Sequence, residues 1–151
     1  MTEVKIENIV YHLDLNELSA SAVSFDKASK DIFFPTTINY EGSIFEVTSI
    51  KEDFSTGQNQ IKAVSFSPDS KISILGENAF CKFQITDISI PDSVTEIHKF
   101  AFCWCLSLQT ISISANSCLR KISSMSFVSS SITSLYIPSN LTILQPGWCD
   151  R

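Results

Sequence analysis

Cys81, Cys103 and Cys105 gather in one stretch of the chain, whereas Cys118 and Cys149 stand apart. Thiols can ligate zinc, pair as disulfides or act as nucleophiles, and their spacing separates these uses. A structural zinc site takes four ligands, normally as two C-x₂₋₄-C pairs. Cys103-x-Cys105 offers one shorter pair, so no metal is expected. An odd set of five cysteines without a repeated metal-binding spacing fits free thiols in a reducing compartment. His12 and His98 are the only imidazoles. A hydrolytic triad needs a histidine held by a carboxylate beside an activated nucleophile, and no segment groups those three residue types in a recognisable signature. The four glycines, Gly42, Gly57, Gly76 and Gly147, spell neither a G-x-G-x-x-G nor a Walker sequence. The expectation is a chain that is not an enzyme, with no catalytic residues, no cofactor and no metal.

The remaining reactive groups are hydroxyls, and these recur with a period. Four segments share one pattern: Ile61-x-x-Val64-x-Phe66, Ile85-x-x-Ile88-x-Ile90, Leu108-x-x-Ile111-x-Ile113 and Ile132-x-x-Leu135-x-Ile137. Their starts lie 24, 23 and 24 residues apart. A fixed period of this size, opened by an L-x-x-L-x-L strand, predicts a leucine-rich-repeat solenoid whose coils bury their apolar sides against one another. Serines that recur with the coil mark turns and strand faces, which argues against one activated hydroxyl.

A second recurrent spacing follows each strand: Ile72-x-x-Leu75, Val94-x-x-Ile97, Leu119-x-x-Ile122 and Leu141-x-x-Leu144. Then come Ala79-Phe80, Ala101-Phe102 and Ser126-Phe127. A small residue followed by Phe predicts a short helical or 3₁₀ turn, with the ring filling the core. First and third openings, and second and fourth, are each 47 residues apart, so the true period is a pair of coils.

One parallel strand per coil is expected, and side chains alternate along it. That alternation turns Ser65, Asp87, Ser89, Thr110, Ser112, Ser134 and Tyr136, together with Ala63, away from the core. They form a small, hydroxyl-rich column, the candidate binding face. Trp104 joins the candidates because Trp is enriched at binding hot spots. Neighbouring coils also place Cys81 and Cys103, each following a closing Phe, about 5 Å apart and within disulfide reach.

Residues 9–50 alternate with period two. Tyr11, Leu13 and Leu15 oppose Val10, His12 and Asp14; Ala20-x-Ala22-Val23-x-Phe25 and Asp31-Ile-Phe-Phe-Pro35 follow. Strands joined by tight turns are expected there. Phe45-x-Val47-x-x-Ile50 already has the spacing of the second half of a repeat. Residues 1–60 thus read as an N-terminal β cap with a leading half-repeat, including a turn at Ser55-Thr56-Gly57. Residues 61–151 read as four coils of the same folded domain. A hydrophobic content of 44% suffices for one continuous core. A formal charge of -5, with 11 Lys plus Arg and no basic cluster, argues against nucleic acid and anionic membrane. Acidic residues interrupt the first ten positions and no window approaches a membrane span, so neither a signal peptide nor direct membrane insertion is expected, which suggests a cytoplasmic location. Asn140-Leu-Thr142 is a glycosylation sequon that matters only in a secreted protein.

Ile88-x-Ile90-Pro91-Asp-Ser-Val94-Thr-Glu-Ile97-x-x-x-Ala101-Phe102-x-x-Cys105-x-x-Leu108 resembles a nearly complete repeat of the BspA-like leucine-rich-repeat proteins, surface antigens of bacteria and protists. Ile137-Pro138-Ser-Asn-Leu141-Thr-Ile-Leu144 is similar, as are the cap segments Ser19-Ala-Ser-Ala-Val23 and Tyr40-Glu-Gly42. The resemblance covers roughly residues 9–149. It implies an α/β, β-rich solenoid that displays a recognition or adhesion surface to a protein or glycan, at the cell surface. Gly147-Trp148-Cys149 departs from the closing motif, as expected of a short or truncated member, whose alternative role is as a scaffold extended by further repeats.

Overall fold

The computed structural model describes residues 2–55 and 60–150. The turn expected at Thr56-Gly57 lies outside the described residues. The chain begins with an antiparallel unit of β1 (Thr2–Ile6), β2 (Ile9–Asp14) and β3 (Ser19–Phe25). Tyr11 and Leu13 point inward from β2, but Leu15 does not continue their row and is 59% exposed. The ladder ends at Asp14↔Ser19, and the Asp14 carboxylate accepts the amides of Asn16 and Glu17 in a turn that carries Leu15 outward.

Next come β4 (Asp31–Phe34), β5 (Thr37–Tyr40) and β6 (Ser43–Ile50). The β5–β6 hairpin closes on Glu41-Gly42, both with positive φ, the mirror-image turn that matches strand twist. β6 also pairs in parallel with β3, so the antiparallel cap passes directly into the solenoid.

The solenoid makes about five turns. Its strands are β7 (Ala63–Phe66), β8 (Ile74–Leu75), β9 (Asp87–Ser89), β10 (Glu96–Ile97), β11 (Thr110–Ser112), β12 (Lys121–Ile122) and β13 (Ile143–Leu144). The expected single strand per coil is replaced by two parallel ladders. The opening pattern supplies β7, β9 and β11, with β4 beside β7 and β9 beside β11. The second apolar spacing supplies the more continuous sheet, ordered β6-β8-β10-β12-β13. Its rungs align Ile50, Leu75, Ile97, Ile122 and Leu144. Both ladders continue across residue 60, through β4–β7 and β6–β8.

The expected helical or 3₁₀ turn is not formed; the described residues contain no helix. Backbone donors on this side alternate between their own coil and the next. Ala79, Cys81 and Phe83 bond to the carbonyls three residues back, whereas Asn78, Phe80 and Lys82 bond to Lys99, Ala101 and Cys103. Donors directed sideways cannot sustain a run of helical bonds. The alternation is reached by left-handed residues at fixed stations: Asp53, Asn78, Phe100, Met125 and Gly147 all have φ between 54° and 69°. Their separations of 25, 22, 25 and 22 residues repeat the 47-residue pair.

The same pair period organises polar turns. Ser70 and Ser117 each accept the amide two residues on, and Thr95 and Thr142 each donate to a carbonyl of the preceding coil. Inside, Phe34, Phe80, Phe102 and Phe127 form a row of rings with successive centroids 5.1–6.3 Å apart. Trp148 closes the row 6.0 Å from Phe127, edge to face, taking the place of a further Phe.

Candidate functional site

The candidate face rests on the opening ladder because strands two residues in pitch must turn alternate side chains outward. Ile88 and Ile111 are buried, and Asp87, Ser89, Thr110 and Ser112 are exposed beside them. The β9–β11 register sets Asp87 against Thr110 and Ser89 against Ser112. Ser65, on β7, is also exposed. Ser65, Asp87, Ser89 and Ser112 line an open groove of about 670 Å³. Pro68, Pro91, Asp92 and Ser114, from the turns that follow the strands, make up its side.

Two of these side chains are anchored. The Asp87 carboxylate accepts from Thr86 Oγ1 at 2.8 Å, and Asp92 accepts from Ser114 Oγ at 2.6 Å. The groove therefore combines hydroxyls that donate or accept with carboxylates that only accept, above apolar Ile90, Val64 and Ile113. Such a lining suits a neutral or cationic ligand rich in donors and carrying some apolar surface. Pro91, Asp92 and Ser114 were absent from the residues expected by sequence. The signal for them was positional: Pro68-Asp69, Pro91-Asp92 and Ser114 all occur just after the opening strand.

Four expected residues do not line the groove: Thr110 is exposed on β11 outside its lining, and three lie elsewhere. Ser134 and Tyr136 are exposed, but residues 132–137 form no paired strand among the described residues, and neither lines the groove. Ile132 and Leu135 are only half-buried, so the last coil lacks the apolar anchorage that Ile88 and Ile111 give β9 and β11. Trp104 is exposed on the turn side, with Lys82 Nζ 5.5 Å from its ring centroid. With Leu106 and Phe83 it lines a separate recess of about 240 Å³.

The histidines face carboxylates: His12 Nε2 is 3.0 Å from Glu3 and His98 Nε2 is 3.2 Å from Glu96. Neither bonds to a serine or cysteine among the described residues. No group of three possible metal ligands is found there. Asn140 donates its amide to the Ser117 carbonyl at 3.0 Å, so the sequon asparagine already serves the packing of adjacent coils. All five cysteines are free thiols. Cys105 is buried and donates to the Phe80 carbonyl at 3.1 Å; burial pushes its thiol up to about 12.

Stacked parallel strands, a repeated apolar grammar and an exposed row of opening strands define a leucine-rich-repeat solenoid. The chain belongs to the BspA type leucine rich repeat family, whose pattern matches in 6 copies over residues 46–148. Among curated protein sequences, none matches the chain. A leucine-rich repeat protein from Bacteroides ovatus ATCC 8483 superposes with a TM-score of 0.81 at 22% identity, over 94% of this chain and 37% of that one. The T. pallidum leucine rich repeat protein gives 0.80 at 20% identity, over 97% and 65%. The pneumococcal vaccine antigen PcpA gives 0.72 at 17% identity, over 99% and 47%. The chain thus spans 37% to 65% of the length of these three proteins, and at such identities the likeness is one of fold.

Proposed function

We propose that the chain is a non-catalytic recognition module that presents its opening-strand groove to a protein or glycan. The observation that carries this reading is the groove itself, which Ser65 of β7 lines together with Asp87, Ser89 and Ser112 of the adjacent β9–β11 pair. Their backbone is fixed by the solenoid, so a ligand meets hydroxyls and carboxylates that need little reordering, which reduces the entropic cost of binding. A mixed lining of this kind matches the alternating hydroxyl and apolar faces of a sugar, or a polar peptide with basic side chains. One fold relative is described as a vaccine antigen, in keeping with exposure of such a surface to other molecules.

The test is capture of ligands from glycan and surface-protein arrays by the full chain and by Ser89→Tyr/Ser112→Tyr, which fills the groove without touching the core. Selective capture by the parent and its loss in the variant support the reading. Equal capture by both removes the groove from it.

A second reading, a scaffold piece of a longer solenoid, is favoured by the last rung. Ile122 is fully buried beneath the rung that follows it, whereas its register partner Leu144 is 43% exposed. Further repeats stacked on β13 would bury Leu144 as Ile122 is buried.

A further inference from the structure

The turn ladder brings together two cysteines that the groove does not use. Phe80 and Lys82 donate their amides to the carbonyls of Ala101 and Cys103, each at 2.8 Å, which sets Cys81 directly opposite Cys103 on the next coil. The coils that carry these turns are stacked through parallel strands about 4.8 Å apart, and a separation of that order lies inside the Cα range that a disulfide spans. The two thiols are near enough for each to shift the ionisation of the other, and Cys103 Sγ lies 4.0 Å from Asn78 Oδ1 on the Cys81 coil. Cys81 is partly exposed and Cys103 is buried, so one can meet a reagent in solution while the other waits behind it.

We propose that Cys81 and Cys103 form a two-electron redox pair, with Cys81 as the attacking thiol and Cys103 as the resolving thiol, converted by hydroperoxides into a disulfide between adjacent coils. In the first step the Cys81 thiolate attacks one peroxide oxygen. The O–O bond breaks, the leaving oxygen takes a proton as alcohol or water, and Cys81 becomes a sulfenic acid. In the second step Cys103 loses its proton and attacks the Cys81 sulfur. The S–O bond breaks, hydroxide departs and is protonated to water, and the S–S bond forms. Two thiols are oxidised by two electrons and one peroxide is reduced; a dithiol reductant reverses the change.

Electrostatics fit this order. The groups facing Cys81 are Cys103, Lys82, Asp53 and Cys105. The Cys103 thiol hydrogen bond chiefly, then the Lys82 cation, brings the Cys81 thiol down to about 7, against burial and Asp53. Cys103 is held well above the usual thiol range by its bond to Cys81, by burial, and by the neighbouring Cys81 and Cys105 charges. Once Cys81 becomes a neutral sulfenic acid, its negative charge no longer opposes ionisation of Cys103. The attacking thiol is thus ready first and the resolving thiol is released by the first step.

The test uses the full chain carrying Cys118→Ser and Cys149→Ser, which removes the exposed thiols that would link molecules. Native protein is treated with hydrogen peroxide, denatured, alkylated and analysed by peptide mass spectrometry. The expected result is a Cys81–Cys103 link, reversible by dithiothreitol, with Cys105 still alkylated. With Cys103→Ser added, Cys81 should stop as a sulfenic acid that dimedone traps. Three alkylatable thiols after oxidation, a link through Cys105, or undiminished link formation in Cys103→Ser would overturn the proposal. Where the serine variant fails to fold, the parent decides: the rate of Cys81 alkylation should titrate near 7, and a midpoint at the ordinary thiol value of about 8.5 contradicts the assignment.

Discussion

Phe102 and Ser112 show how one coil divides its labour between core and surface. The Phe102 ring is fully buried between Phe80 and Phe127, with both centroids 5.1 Å away. Phe102→Ala removes contacts on two sides and leaves a void, so it should cost about 3 to 5 kcal/mol in urea unfolding. Ser112 faces solvent from β11, and Ser112→Ala should change stability by less than about 0.5 kcal/mol. A large loss there would mean that the strand faces are exchanged. Glu96 illustrates a weaker force. A hydrogen bond from Lys121 chiefly, helped by His98, lowers its carboxyl below the ordinary 4.5. A folded-state value below the unfolded one gives stability that is full above the unfolded value and lost as pH falls through the folded one. Because the Glu96 side chain is 37% exposed, that stability is under about 1 kcal/mol. Acid titration of the unfolding midpoint below about pH 4.5 should therefore be slightly steeper in the parent than in Lys121→Met.

At the scale of elements, the opening ladder was legible because Ile88, Ile111 and their polar neighbours alternate with period two. The second ladder shows in the sequence only as a recurrent apolar spacing. Its strands are two residues long, too short for alternation to reveal them, and they become strands only through pairing with neighbouring coils. The missing helix has a similar cause: Ala-Phe pairs fit a helical turn locally, but lateral hydrogen bonds to the next coil take the amides that a helix would use. Ser134 and Tyr136 carry the right pattern, but Ile132 and Leu135 beside them are only half-buried and residues 132–137 form no paired strand among the described residues, so pattern alone did not place them in the groove. Gly76 marks a close inter-coil approach. A Cβ there would lie 2.6 to 2.7 Å from backbone atoms of Ile50, Lys51 and Glu52. Gly76→Ala should destabilise by about 1 to 3 kcal/mol through forced displacement of β6 from β8, as measured by urea unfolding.

For the whole molecule, the cap, the two ladders and the ring row make one continuous core from Ile9 to Phe127. Rigidity along that axis is what turns separate serines and aspartates into a surface with fixed spacing. The 47-residue pair period, visible in the sequence as alternating coil lengths, reappears in left-handed residues and in the serine and threonine turn bonds. What the sequence could not supply was the path of the turns that brings Pro91, Asp92 and Ser114 beside the strand residues around one groove. The most direct measurement is an amide NMR titration of the full chain with the strongest ligand captured on the arrays. Recognition by the groove predicts shifts concentrated at residues 87–92 and 110–114, abolished by Ser89→Tyr/Ser112→Tyr. Shifts confined to the Trp104 recess or to the Ile143–Leu144 end, with the groove resonances unmoved, would contradict it.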